Sequence, residues 1–290
     1  MKKLLIACVA CMLTISLTAC GGSPSVPASS VAAASSASSQ SDSSKSDTPA
    51  DILDAIKAKG KLVVGTEAQY APFEFKNDKA EFAGCDIWLA QQLADALGVK
   101  LEVVDMAFDG IIPAVKSGQV DIGIAAFTVT EERAKEIDFT DIYQRDQQLL
   151  IVKNGNENVY TTKESLAGLK VGAQRGTIQS KLIQSALPQS ELFELAKYPE
   201  LALEVANGNI AGLVVDGAVG EGLIANNDKI VAADFEFDPA EANFGKAAIV
   251  AKGNNSLTEA ANKVIAKVLA DGSFQKAYDE AVALSKTLGI

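Results

Sequence analysis

After residue 50 the chain alternates short continuous apolar runs with segments whose apolar residues recur every three or four positions. The run 61–65 (KLVVG) predicts a buried strand. Ile52, Leu53 and Ile56 before it predict a short helix ended by Gly60. Ile87, Ala90, Leu93, Ala94 and Leu97 share one helical face, and Gly98 stops that helix. A strand at 101–104, a helix beginning at 111–115 and ending at Gly118, and a strand at 120–125 (VDIGIA) come next. The order then repeats. Thr161 and Glu164 stand at capping-box spacing. Strands are predicted at 169–173, 192–197 and 210–215, with helices at 177–187 and 201–206 between them. A returning strand at 247–251 and helices at 257–269 and 274–284 close the chain. Two βαβαβ units imply an α/β protein whose mostly parallel sheets are covered by helices.

The first fifty residues have another pattern. Met1-Lys2-Lys3 precedes a mainly apolar run ending at Ala19, the form of a secretory signal, and the run is short for a membrane-spanning helix. Leu17-Thr18-Ala19-Cys20-Gly21 resembles the lipobox of bacterial lipoproteins. That resemblance implies cleavage after residue 19, acylation of Cys20 (palmitate among the chains) and an anchor on the outer face of a bacterial cell membrane. An uncleaved anchor, or a plain signal peptide with an incidental cysteine, are the alternatives. Residues 23–50 are rich in Ser, Ala and Pro without a periodic face, which predicts a flexible tether with a mean reach of roughly 30 Å. No run after residue 50 is long and apolar enough to span a bilayer.

Composition narrows the chemistry. A formal net charge of −11 argues against a nucleic-acid partner. The chain has no histidine, which removes His-based triads, bases and metal ligands, and no cofactor or metal is expected. It also predicts ligand binding that is nearly flat between about pH 6 and 8. Of four cysteines, Cys8 and Cys11 would leave with the signal and Cys20 would be acylated, so Cys85 remains as a lone thiol without an intramolecular disulfide.

Open α/β sheets bind ligands beyond the carboxyl ends of their strands. Those ends carry Glu67 and Tyr70, then Phe108-Asp109, then Ala126, Thr128 and Arg133; in the second half they carry Gln174, Arg175, Gly176 and Thr177, then Asp216. Thr130 reads as the cap of a helix whose first turn holds Glu131, Glu132 and, against the helix dipole, Arg133. A guanidinium leaning back toward Thr128 would make a carboxylate receptor; a surface pair of Arg133 with Glu136 is the equal alternative. Asp216 either caps the next helix or accepts a ligand ammonium. Tyr70 and Phe108 could sandwich a ligand side chain or serve as core, and Phe73 and Phe75 read as core. Trp88 could be a surface residue or a partner contact.

Taken together, residues 65–75 (GTEAQYAPFEF), 109–113 (DGIIP), 120–122 (VDI), 128–133 (TVTEER) and 138–143 (DFTDIY) resemble the polar amino-acid solute-binding proteins of ABC importers, family 3 type, over about residues 52–287. The resemblance implies two α/β lobes joined by two hinge strands, the type II periplasmic-binding-protein fold, with crossings near 147–153 and 246–252. Residues 1–19 are then a signal peptide, 20–50 the lipidated Cys and tether, 51–149 with 249–290 the first lobe, and 150–248 the second. By position it implies that Arg133 and Thr128 hold a ligand carboxylate with a backbone group of Ala126 and the N–H of Thr177. Asp216 takes the α-ammonium, Tyr70 and Phe108 enclose the side chain, and Glu67 faces its tip, with Gln174 and Ile178 as further contacts. Gly84-Cys85-Asp86-Ile87-Trp88 departs from the family pattern at Cys85 and Trp88. The implied protein is a monomer that closes over a polar L-amino acid and delivers it to permease subunits, and Glu67 with Tyr70 favours a basic or amide side chain. The alternatives are a cyclohexadienyl dehydratase-like lyase using Glu67 as general acid, and a sensory module that presents its ligand to a receptor.

Overall fold

The computed structural model describes residues 51–238, 242 and 244–290. Cys20, the leader and the tether lie outside them. Helix α1 (Ile52–Lys59) is capped by the Asp51 carboxylate on the Leu53 N–H and ended by Gly60 in the left-handed region. Strand β1 (Lys61–Thr66) is buried from Leu62 onward, as expected of a strand covered on both faces. Strands β2 (Gln69–Tyr70), β3 (Glu74–Lys76) and β4 (Phe82–Ala83) make a small antiparallel sheet beside it. Helix α2 (Cys85–Leu97) is next, then β5 (Lys100–Asp105), α3 (Phe108–Lys116) and β6 (Ile122–Thr128). Strand β1 pairs in parallel with β5 on one side and β6 on the other. Phe108, at the carboxyl end of β5, lies in the first turn of α3.

A four-residue helix α4 (Glu131–Ala134) leads to β7 (Ile137–Phe139) and β8 (Gln144–Asp146), both paired antiparallel with the late strand β14 (Phe244–Ala251). That strand starts three residues before the apolar run 247–251 that signals it, because Phe244–Lys246 also pair with the first sheet, at Gln144, Arg145 and Asp146. The chain therefore leaves the first sheet at Gln147 and has returned to it by Phe244, so the return precedes the boundary drawn between residues 248 and 249. Gly245 and Lys246 carry no strand signal of their own, which hides this start in the sequence.

The second sheet holds β9 (Gln148–Lys153), β10 (Lys170–Gln174), β11 (Glu191–Leu195), β12 (Gly212–Asp216) and β13 (Ile230–Ala232). Its helices are α5 (Ile178–Ala186), α6 (Tyr198–Asn207) and α7 (Gly217–Ala225). In each half three strands run parallel, and the strands on either side of the crossings add antiparallel pairs, so both sheets are mixed. Helices α8 (Asn255–Ala270) and α9 (Ser273–Leu288) pack with α2 on the first lobe. No helix of the described residues is long and apolar enough to cross a membrane.

Two sequence expectations resolve differently in detail. The cap at 161–164 belongs to Thr162, whose hydroxyl oxygen accepts from the Ser165 N–H at 3.4 Å, and the helix it opens is a single 3₁₀ turn, Glu164–Leu166. Trp88 is half-buried, edge to face with Phe274 at 6.5 Å, and Cys85 is buried in the same core. Burial raises the Cys85 thiol well above its ordinary range, so this cysteine, the one among the described residues, is an inert packing group.

Candidate functional site

The carboxyl ends of β1, β5 and β6 face those of β10 and β12 across one cavity. Glu67, Tyr70, Phe108, Ala126, Thr128, Arg133, Gln174, Thr177, Ile178 and Asp216 all line it. Glu74, Ala125, Gln179 and Lys246 line it too, and sequence reasoning missed them. As the side chains stand, the cavity is only about 20 Å³, roughly enough for a water.

Arg133 sits there because α4 is so short. The Thr130 hydroxyl oxygen accepts from the Arg133 N–H at 3.2 Å, fixing this residue in the first turn, from which its side chain turns back over β6. Its Nη1 donates to the Thr128 carbonyl at 2.9 Å and its Nη2 to the Gly176 carbonyl of the other lobe at 3.0 Å. The guanidinium lies over the rings of Phe108 and Phe127, at 5.5 and 5.4 Å. The alternative surface pair does not form: Glu136 is held by Lys116 at 2.7 Å. Burial lowers the Arg133 pKa to about 10, against Glu132 and Asp216, which raise it, so the group stays cationic at neutral pH. Two of its five donors are used, and the rest are free to meet an anion.

Asp216 ends β12 and stands at the start of α7, but its side chain does not cap that helix. Asp146 does so in its place, its carboxylate accepting from the Ala218 N–H at 3.1 Å. Asp216 is thereby released into the cavity, 2% exposed. Its Oδ1 accepts from the Gln148 amide at 2.6 Å, and its Oδ2 accepts from the Tyr70 hydroxyl and the Lys246 ammonium. Gln148 is itself oriented by Gln179, whose amide donates to it at 2.8 Å.

Ala126 adopts φ +45°, and the pairing of β6 with β14 shifts register beside it, between Ala247 and Ile249. Left-handed backbone in a non-glycine residue is a costly conformation that concentrates at functional sites. The Ala126 N–H is already spent on the Asp86 carboxylate at 2.7 Å, so the backbone group it can offer the cavity is its carbonyl. Thr177 places its hydroxyl on the Gln174 carbonyl at 2.6 Å and leads into α5, beside Ile178 and Gln179.

Glu67 is 4% exposed and accepts from the Gln174 amide at 3.2 Å. Burial raises its pKa to about 7, against the lowering effect of that hydrogen bond. A carboxyl with that pKa titrates between pH 6 and 8, where the lack of histidine alone predicts a flat response. Glu74, on β3 between the buried Phe73 and Phe75, is 1% exposed with no donor on either oxygen. Burial, then the Asp86 and Glu67 charges, push it well above the usual carboxylate range. Burial likewise raises Asp86 to about 6, although the Ala126 N–H and Tyr143 hydroxyl stabilise its charge. Arg175 does not reach the cavity; it is exposed at the rim, 3.8 Å from Asp109 across the cleft. Glu74 and Lys246 escaped the sequence reading because an acid alternating with phenylalanines, and a lysine before an apolar run, both read as solvent-facing. Their burial comes from contacts that are distant along the chain. Among the described residues no cluster suits a metal ion.

Residues 62–282 match the family model of the bacterial extracellular solute-binding proteins, family 3. The arginine-binding extracellular protein ArtP of Bacillus subtilis is 30% identical over 95% of this chain and 96% of its own. Among solved structures, the amino-acid ABC transporter substrate-binding protein AbpA of Streptococcus pneumoniae bound to L-arginine is 35% identical, with a TM-score of 0.77 over 80% of this chain and 98% of that one. An ancestral amino-acid-binding protein described as a precursor of cyclohexadienyl dehydratase is 32% identical, with a TM-score of 0.73 over 80% of this chain and 100% of that one.

Proposed function

The chain belongs to the bacterial extracellular solute-binding proteins, family 3, and from that premise we propose that it captures a polar L-amino acid outside the cytoplasm and delivers it to the permease of an ABC importer. One observation carries this reading. A buried guanidinium from the first lobe, Arg133, and a buried carboxylate from the second, Asp216, open on one cavity. Arg133 is bonded only to carbonyls and Asp216 is paired with a lysine of the other lobe, and a zwitterion presents an opposite charge to each.

The ligand carboxylate sits on the free Arg133 donors, the Thr128 hydroxyl and the N-terminus of α5 at Thr177. The α-ammonium goes to Asp216, and the side chain runs between Tyr70 and Phe108, past Ile178, toward Glu67 and Gln174. A basic or amide side chain fits that end: Glu67 attracts a cation once ionised, and Gln174 bonds an amide. ArtP and AbpA, with arginine in their names or contents, support the same choice. The two lobes, 51–147 and 244–290 against 148–238, close over the ligand as a type II periplasmic binding protein does. Cys20, acylated after cleavage of residues 1–19, holds the monomer to the outer face of the membrane through the tether, and Cys20→Ala is expected to release the protein and its palmitate label together.

Isothermal titration with a panel of L-amino acids tests the reading. Tight binding of arginine, lysine or glutamine is expected. Binding of aspartate and glutamate alone would overturn the role of Glu67, and binding of none would overturn the function. A second reading has one observation in its favour. With its pKa near 7, Glu67 is partly protonated at neutral pH and could serve as a general acid, as a dehydratase requires. We assign no turnover to the protein; loss of prephenate in its presence would establish the enzymatic reading instead.

A further inference from the structure

Lys246 is the group in the cavity that an amino-acid receptor does not call for. It stands on β14, where the chain has just returned to the first lobe, and is 1% exposed. Its ammonium reaches across to Asp216 of the second lobe and lies 3.5 Å from the Thr128 hydroxyl oxygen. It therefore spans the space between the acid proposed for the ligand ammonium and the hydroxyl proposed for the ligand carboxylate. Chemically it is the same kind of group as the α-ammonium itself.

Asp216 cannot serve both. Its Oδ1 is held by Gln148 and its Oδ2 by Tyr70 and Lys246. Two cations on one buried carboxylate would leave one of them uncompensated. The same cavity offers Lys246 another partner on its own lobe. Glu74 lines it, and neither of its carboxyl oxygens has a donor.

Building on the amino-acid reading, we propose that Lys246 is a tethered surrogate for the ligand's α-ammonium: it holds Asp216 until the ligand displaces it, and its Nζ then turns to Glu74. Asp216 and Lys246 each keep a partner before and after the exchange, and Glu74, neutral in its burial until then, releases its proton to solvent as it receives the ammonium; the two lobes can thus be drawn together without ligand, and the affinity for α-amino acids is set by a competition inside the chain. A ligand that lacks the amino group leaves the Lys246–Asp216 pair intact and escapes that competition.

The test compares L-arginine with 5-guanidinopentanoate, the same molecule without its amino group, by isothermal titration of the full chain in detergent. Wild type is expected to bind the two within about tenfold of each other. Lys246→Met is expected to bind arginine at least tenfold tighter and 5-guanidinopentanoate at least tenfold weaker, because Asp216 then lacks a partner unless the ligand brings one. Glu74→Gln tests the other end of the swing and does not depend on that variant folding: it is expected to weaken arginine alone. L-glutamine and glutaramate serve as the pair if the protein prefers glutamine. Parallel losses for both ligands in both variants, or a wild type that rejects the deaminated ligand more than a hundredfold, would overturn the exchange while leaving amino-acid binding standing. Failure of wild type to bind any amino acid would sink the function on which the exchange rests.

Discussion

Arg133 shows how a residue with two equal readings in sequence is decided by its neighbours in space. Its i+3 partner Glu136 is taken by Lys116, and its donors find the Thr128 and Gly176 carbonyls. Those two bonds position the fork without neutralising it. Arg133→Met is therefore expected to weaken amino-acid binding at least a hundredfold, by titration calorimetry, since losing one partner of a buried charged pair costs about 2–5 kcal/mol. Its thermal midpoint is expected to stay near wild type, because methionine removes a buried charge as well as its bonds. Glu67 makes a second prediction with a definite sign. Its pKa is about 7 in the fold and roughly 4.3 in an unfolded chain, so the native state holds the extra proton between those values. Its contribution to stability is therefore greatest at the acid end of that window and falls as pH rises toward 7. Melting scans should show Tm declining from about pH 5 to 7, with a shallower slope in Glu67→Gln. Asp86, raised to about 6, and Asp146, raised to about 6 by burial and by the Asp216 charge, add to the slope in the variant and wild type alike. For a cationic ligand side chain the binding trend is opposite: affinity should rise through pH 7 as Glu67 ionises, and that rise should vanish in Glu67→Gln.

The ends of elements, more than their bodies, build the site. Helix α4 is four residues long and α7 is capped by a residue from the preceding crossing, Asp146, which leaves Asp216 unoccupied by capping. The turn from β10 into α5 passes through Gly176 at φ +77°, where a Cβ would meet the Asp109 Cβ of α3 at 2.9 Å. Here glycine serves two needs at once, a left-handed turn and a close approach of the lobes. Gly176→Ala is expected to weaken ligand binding about tenfold or more by holding the lobes apart, with a smaller loss of stability of about 1–2 kcal/mol from the left-handed backbone. Calorimetry for the first and a denaturant midpoint for the second separate the two effects. A ligand affinity equal to wild type would mean that the β10–α5 turn does not meet α3 when ligand is bound.

Across the whole molecule, the lobes meet both through apolar packing, with Tyr70 against Tyr198 at 5.2 Å, and through polar contacts across the cleft. Arg175–Asp109 and Lys181–Glu132 are exposed rim pairs, weak and screened by salt. Inside, the Arg133–Gly176, Gln174–Glu67, Tyr70–Asp216 and Lys246–Asp216 contacts cross the cleft. Bonds of this kind place open and closed arrangements within reach of one another, and a ligand then moves the balance only by its differential affinity for the closed one. Small-angle scattering should record a smaller radius of gyration with saturating ligand than without, and high salt should enlarge the ligand-free value. An unchanged radius under both conditions would rule out closure as the binding step.

The alternation of apolar runs with helical faces was enough, by itself, to place strands β1, β6, β10 and β12 and the helices between them, because burial on both faces leaves a signal in the local sequence. The ten cavity residues were legible for a related reason: the carboxyl ends of parallel strands converge, so position along the strand stands for position in space, and the family resemblance then supplied roles. Glu74, Gln148, Gln179 and Lys246 were beyond that reasoning. Their surroundings come from strands and helices distant along the chain or from the opposite lobe, and no local pattern distinguishes a lysine on the solvent edge of a strand from one driven onto Asp216. The same holds for the Glu67 titration. A carboxyl's pKa depends on the water removed around it, and only the meeting of the two lobes decides how much is removed.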